Sequence, residues 1–143
     1  MSKQIESRAE FQELAEERLN EAKLLLDAER WSGAYYLAGY AVELALKACI
    51  IKRLMETDAF PEREFSKNCD THVIKNLVRL ARLNDLRETS TDVNLDLRAN
   101  WQTANGWSEE KRYHRIEKVV AETLYAAITD PLHGVSEWIK MHW

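Results

Sequence analysis

Apolar residues recur along this chain at the three-and-four spacing of α-helices. No stretch alternates with the period of two that marks a strand, so the sequence predicts helices throughout and no sheet. The first helix is expected over about residues 7–29. Ser7 and Glu10 have the spacing of a capping box, in which each side chain satisfies a free backbone N–H of the first turn. Phe11, Leu14, Ala15, Leu19, Ala22, Leu25 and Leu26 follow as one stripe opposite a charged face. The second helix is expected over about residues 32–56, with Ser32 as its N-cap. One of its faces carries Ala34, Leu37, Ala38, Ala41, Leu44, Ala45, Ala48 and Ile51, and a second carries Tyr35, Gly39, Val42, Leu46 and Cys49. The third face is mixed, with Tyr36, Tyr40, Glu43, Lys47 and Ile50. A helix apolar on most sides belongs at the centre of a bundle, or is shared between core and partner. Its small residues would let neighbouring helices approach closely.

Residues 57–69 read as a connection broken by Pro61. A third helix is expected over residues 70–84, capped by Asp70 or Thr71 and burying Val73, Leu77, Leu80 and Ala81. Residues 87–92, RETSTD, read as a polar linker. A shorter helix over residues 93–103 would present Val93, Leu97 and Trp101 and stop at Asn105-Gly106. A long helix is then expected from Arg112 or His114 to Ile128, its inner face formed by Ile116, Val119, Val120, Leu124, Ala127 and Ile128. Asp130-Pro131 looks like a cap with proline in the first helical position. A last segment over residues 134–141 carries Val135, Trp138 and Ile139. Helices joined by loops make an all-α, antiparallel up-and-down bundle of four to five helices the expected architecture.

Composition narrows this further. A chain of 143 residues fits one domain, and 4 glycines, 2 prolines and 31% charged residues fit helices. The net charge of -4 argues against broad, sequence-independent coating of DNA, while leaving room for a local basic site. Cys49 and Cys69 make no disulfide framework, and Cys49 reads as a small core residue. The opening MSKQIESRAE has no apolar core of the kind a signal peptide needs, and no uncharged apolar run approaches the roughly 18 residues that span a bilayer. The expectation is a cytoplasmic protein with no membrane association.

Three stretches together carry a resemblance. Residues 28–52, AERWSGAYYLAGYAVELALKACIIK, contain a small-residue and aromatic helix followed by Ala41-Val42-Glu43-Leu44-Ala45-Leu46-Lys47-Ala48. HVIKNLVRL begins at His72, and WSEEKRY runs over residues 107–113. In this order and spacing they resemble the signature of the HEPN family (higher-eukaryote and prokaryote nucleotide-binding domains). The resemblance implies a single antiparallel helical domain, usually a homodimer, with residues 130–143 as a subgroup-specific extension. Members of that family include RNA-cleaving toxins, nuclease modules of defence systems and partners of small nucleotidyltransferases. Its ribonucleases carry an arginine, four to six residues, then a histidine on the last long helix. His72, His114, His133 and His142 all lack an arginine at that spacing here, and Arg112 and His114 are only two positions apart.

The densest basic cluster is Lys111, Arg112, His114 and Arg115, expected near a helix start where free N–H groups and the helix dipole favour anions. Arg112 could grip a phosphate, with Trp107 or Tyr113 available for stacking. The structural alternative pairs Arg112 with Glu43 or another carboxylate of the second helix while Tyr113 packs. Glu43 and Lys47 stand at i, i+4 in the favourable order; on so apolar a helix they are either paired or part of a working surface. Tyr36 and Tyr40 share that face and would line a cleft or a dimer seam. Cys69 and His72 have a C-x-x-H spacing, only two of the four ligands zinc wants, so no metal is expected. No Gly-rich phosphate loop, H-E-x-x-H or G-x-S-x-G is present, and no cofactor is expected. The large tryptophans Trp101, Trp107 and Trp138 are expected to pack bundle ends, with Trp143 exposed or closing a dimer contact.

The residues therefore argue better for a binding and dimerisation module than for an enzyme. The ligand would be a partner protein such as a nucleotidyltransferase or antitoxin, a nucleotide, or RNA. Tyr36, Tyr40, Glu43, Lys47, Arg112, Tyr113, His114 and Arg115 would form the working surface. The runner-up is a metal-independent ribonuclease with a displaced catalytic pair drawn from Arg112, His114 and His72.

Overall fold

The computed structural model describes residues 6–57 and 63–143, and among these every regular element is helical. The first five residues and Pro61, expected to break the pattern, lie outside the described residues. Eight α-helices are described: α1 (Arg8–Asp27), α2 (Trp31–Glu56), α3 (Arg63–Asn68), α4 (Ile74–Leu80), α5 (Asn84–Val93), α6 (Leu95–Asn105), α7 (Lys118–Thr129) and α8 (Val135–Lys140). A 3-10 turn over Glu109–Tyr113 links α6 to α7.

α1 begins as expected. The Ser7 hydroxyl accepts from the Glu10 N–H at 3.1 Å, and the Glu10 carboxylate accepts from the Ser7 N–H at 3.3 Å. It ends in a Schellman motif: the Arg30 N–H reaches the Leu25 carbonyl at 2.8 Å and the Glu29 N–H reaches that of Leu26 at 3.0 Å. Glu29 takes the left-handed conformation this requires, φ 59. The turn delivers the chain directly into α2, so α1 and α2 pack as a helical hairpin. Ser32 does not cap α2. Arg30 holds that position without a side-chain bond, and the Ser32 hydroxyl instead accepts the Ile116 N–H at 2.9 Å, tying the segment before α7 to the start of α2.

α2 is the axis of the molecule, with α1, α4, α7, α8 and the 3-10 turn all packed on it. Ala34, Ala38, Ala41, Ala45 and Ala48 are buried, and these small side chains let the neighbouring helices come close. By length and composition α2 could cross a bilayer, but 72% of its most apolar window is buried inside the protein, so core packing accounts for its hydropathy. Leu46, Leu77, Leu124, Ile128, Val135 and Ile139 fill the space around it. Each such side chain contributes roughly 1.5–3 kcal/mol on full burial.

The chain after α2 is cut more finely than its periodicity suggests. Residues 63–68, expected within a connection, form α3. The helix expected over residues 70–84 is reduced to α4. Neither Asp70 nor Thr71 caps it: Val73 is the N-cap, and the Thr71 hydroxyl accepts the Val73 N–H at 3.2 Å. A second Schellman motif ends α4, through Leu83 N–H to the Val78 carbonyl at 3.0 Å and Arg82 N–H to that of Arg79 at 3.0 Å. Arg82 occupies the left-handed position, φ 57, where glycine is usual and any side chain costs roughly 1–2 kcal/mol. Residues 87–92 are not a linker but part of α5, whose Thr91 is buried. The Asn94 side chain then caps α6 by accepting from the Leu97 N–H at 3.0 Å. That break leaves Val93 86% exposed rather than in the core.

The long helix expected from residue 112 or 114 starts only at Lys118. Its inner face is Ala121, Leu124, Ala127 and Ile128, while Val119 is 72% and Val120 45% exposed. Asp130 does act as a cap, accepting from the Leu132 and His133 N–H groups at 2.8 Å each, but it closes a turn rather than a helix with Pro131 at its start. Gly134 is required there, since a Cβ would collide with the Asp130 and Ile128 carbonyls. α8 returns to the core beside α2, and the Trp138 indole N–H donates to Ser90 at 3.1 Å. The Trp143 carbonyl accepts from Arg8 and Gln12, so this residue is anchored on α1.

One close approach sets the floor of the aromatic face on α2. A Cβ on Gly39 would lie inside the Trp107 indole, so the ring rests directly on the α2 backbone, 3% exposed. Gly39→Ala should therefore lower unfolding free energy by about 1–3 kcal/mol through overpacking, read by chemical denaturation. An unchanged midpoint would show that the indole has room to move.

Candidate functional site

Tyr36, Tyr40, Glu43 and Lys47 lie at successive three- and four-residue steps on α2 and so form one stripe. The Tyr36 and Tyr40 rings are nearly parallel, centroids 6.2 Å apart and planes 8° apart. Tyr36 also meets Trp107 at 5.9 Å. The 3-10 turn follows immediately from Ser108 and packs on α2. In such a turn residues three apart project from one side, which groups Glu109 with Arg112.

Glu43 sits in the middle of this face, 1% exposed, and its carboxylate is met from two sides. Lys47 Nζ lies 3.3 Å from Oε2 and His72 Nδ1 2.9 Å from Oε1. The other ring nitrogen of His72 reaches Glu109 Oε2 at 3.3 Å. A chain of polar contacts thus runs from α2, through His72 ahead of α4, to the 3-10 turn. Removing a buried carboxylate from water is costly without partners, so these contacts are what allow Glu43 to sit inside an apolar helix.

Arg112 does not pair with Glu43. Its guanidinium lies over the Tyr113 ring, 4.9 Å from the centroid, and interactions with the Tyr113 hydroxyl, then Tyr36 and Glu109, raise its pKa above the usual value. Tyr113 is 78% exposed rather than packed. His114 and Arg115 are exposed on the extended segment before α7. Because α7 begins at Lys118, the basic cluster is not at a long helix's N-terminus, and the helix-dipole argument for it does not hold. Tyr40 has its pKa raised, first by burial and then by Glu43 and Tyr36.

The structure thus joins Tyr36, Tyr40, Glu43, Lys47, Arg112 and Tyr113 along one face and leaves His114 and Arg115 beside it. Sequence spacing missed His72 and Glu109 as partners of that face. The signal was present in the three stretches singled out: they contain Glu43, His72, and Trp107 with Arg112, and they converge here. His72 turns to Glu43, burial raises the Cys69 thiol pKa, and no metal-holding group of three or more His, Cys, Asp or Glu occurs among the described residues.

In a double-mutant cycle of Glu43→Gln and His72→Gln, the two residues should couple by about 1–2 kcal/mol in chemical denaturation. Glu43 and Arg112 should couple by less than about 0.5 kcal/mol. The reverse ranking would mean that Glu43 is held by the 3-10 turn rather than by His72.

No curated protein and no solved structure matches the chain. The family model for the HEPN domain matches residues 9–118. That span runs from the first turn of α1 to the start of α7 and contains every residue of the aromatic and polar face on α2. This chain belongs to the HEPN domain family.

Proposed function

We infer a role connected with nucleotides or RNA from membership of the HEPN family. We propose that this chain is a binding module for single-stranded RNA or its nucleotides, acting as a homodimer within a toxin–antitoxin, nucleotidyltransferase-linked or defence-type system. The observation that carries the reading is the juxtaposition of the Tyr36–Tyr40 stack with the exposed Arg112–Tyr113 pair. Aromatic rings accept the faces of unpaired bases, and an arginine beside them grips a phosphate, which is how single strands are held without sequence readout. With a net charge of -4, binding depends on this local patch rather than on the field of the whole protein.

A second reading has its own support. His72 is half-exposed and oriented through Nδ1 by a buried carboxylate, with Lys47 on the same carboxylate. Orientation of this kind equips an imidazole for proton transfer, and a metal-independent ribonuclease would use it once substrate displaces Glu109 from Nε2. Arg112 and His114 serve that reading less well, because His114 stands apart on the extended segment.

One set of labelled, mixed-sequence RNAs tests both. Fluorescence anisotropy should show binding that Arg112→Glu weakens about tenfold or more while the melting temperature stays within about 2 °C. Equal affinity in the variant would remove this face from consideration. With chelator present, RNA that stays intact fits the binding module, whereas cleavage abolished by His72→Gln would establish the ribonuclease.

The homodimer rests on exposed apolar side chains of two helices that pack together: Leu24 of α1, 68% exposed, and Val119 and Val120 of α7. Light scattering on the purified protein should give twice the chain mass, falling to one chain in Val119→Lys. A monomer at all accessible concentrations would reject the dimer.

A further inference from the structure

At the far end of α2 the chain builds a second basic site. A cleft of about 410 Å³ is lined by Cys49, Lys52, Arg53, Arg82 and His142, with Glu56 as its sole acidic lining residue among those described. That volume lies in the range of small-molecule sites. Seventeen helical positions separate Tyr36 from Arg53, about 25 Å along the axis, so this cleft is distinct from the aromatic face.

Three features point to an anionic occupant. First, three permanent cations face one carboxylate in a protein whose net charge is negative. Lys52 and Arg82 form no ion pair among the described residues; Lys52 and Glu56, although four apart on α2, are not joined. The cations are close enough to oppose one another: burial and then the Arg82 charge lower the Arg53 pKa, and burial and then Lys52 lower that of His142. Second, Arg53 is fixed in place. Its guanidinium donates to the Leu80 carbonyl and lies 4.7 Å over the Phe65 ring, while its Nε is buried with no hydrogen-bond partner among the described residues. A guanidinium immobilised before the ligand arrives loses little freedom on binding. Third, Arg82 stands at a left-handed position, φ 57, that glycine fills without strain. The Schellman turn that ends α4 sets this conformation, and it delivers the Arg82 charge to the cleft beside Arg53.

We propose that Lys52, Arg53 and Arg82 bind a terminal phosphate or diphosphate group in this cleft. His142, its ring held 4.5 Å from that of Trp138, supplies a further hydrogen-bonding edge. Cys49 is a neutral wall, since burial pushes its thiol up to about 12. Guanidinium groups match phosphate oxygens in geometry as well as charge, and phosphate neutralises the mutual repulsion of the cations around it.

Isothermal titration of the full chain with inorganic pyrophosphate tests this. Saturable one-to-one binding that weakens with added salt is expected. Arg82→Gly should weaken it about tenfold or more while melting at or above the parent temperature, because the substitution relieves the left-handed strain. Lys52→Gln should weaken it as well, and Arg98→Gln, outside the cleft, should not. Displacement by adenosine diphosphate would identify a free nucleotide as the source of the phosphates, and displacement by 5′-phosphorylated RNA alone would identify a strand end. No saturable binding, equal affinity in Arg82→Gly and Lys52→Gln, or competition by neither ligand would overturn the assignment.

Discussion

A carboxylate buried in the apolar central helix of the protein is the constraint around which this structure is organised. Glu43 is 1% exposed at the middle of α2, and a charge there is tolerable only with partners. Lys47 supplies one from the same helix. His72 supplies the other from the segment before α4, and through its second nitrogen reaches Glu109 on the 3-10 turn. Satisfying one side chain therefore fixes the relative position of three parts of the chain that are remote in sequence. The same 3-10 turn carries Arg112 and Tyr113, so this exposed pair is placed by the residues that satisfy Glu43.

Packing supports the polar chain from below. Trp107 rests on the backbone at Gly39, and Tyr36 meets the Trp107 ring at a tilt of 39° while lying nearly parallel to Tyr40. The aromatic face is thus the upper surface of the core rather than a loop decoration, and its rings are held before any ligand arrives. Pre-ordering of this kind lowers the entropic cost of binding. Away from this face, α8 and Trp143 close the bundle against α2 and α1, making residues 130–143 part of the same core.

Much of this was legible in the sequence where local chemistry decides. The Ser7–Glu10 capping box and the three- and four-residue spacing of α2 placed the first two helices, and the Tyr36–Tyr40–Glu43–Lys47 stripe followed from that spacing. Where tertiary packing decides, the sequence was less informative. RETSTD reads as a linker because Ser and Thr are weak helix formers, yet Thr91 is buried in α5. Val119 and Val120 read as core because they are apolar, yet their face of α7 points outward. The contact between His72 and Glu43 spans 29 positions, and no periodicity links residues that distant. Only the family resemblance brought those stretches together, and it did so without saying which atoms meet.

Whether the face built over Glu43 receives RNA, as proposed, is decided by heteronuclear NMR of the labelled protein titrated with single-stranded RNA. The largest shifts should fall on the Tyr36, Tyr40 and Tyr113 rings and the Arg112 side chain. Shifts that avoid these groups, or a spectrum unchanged at saturating RNA, would contradict it.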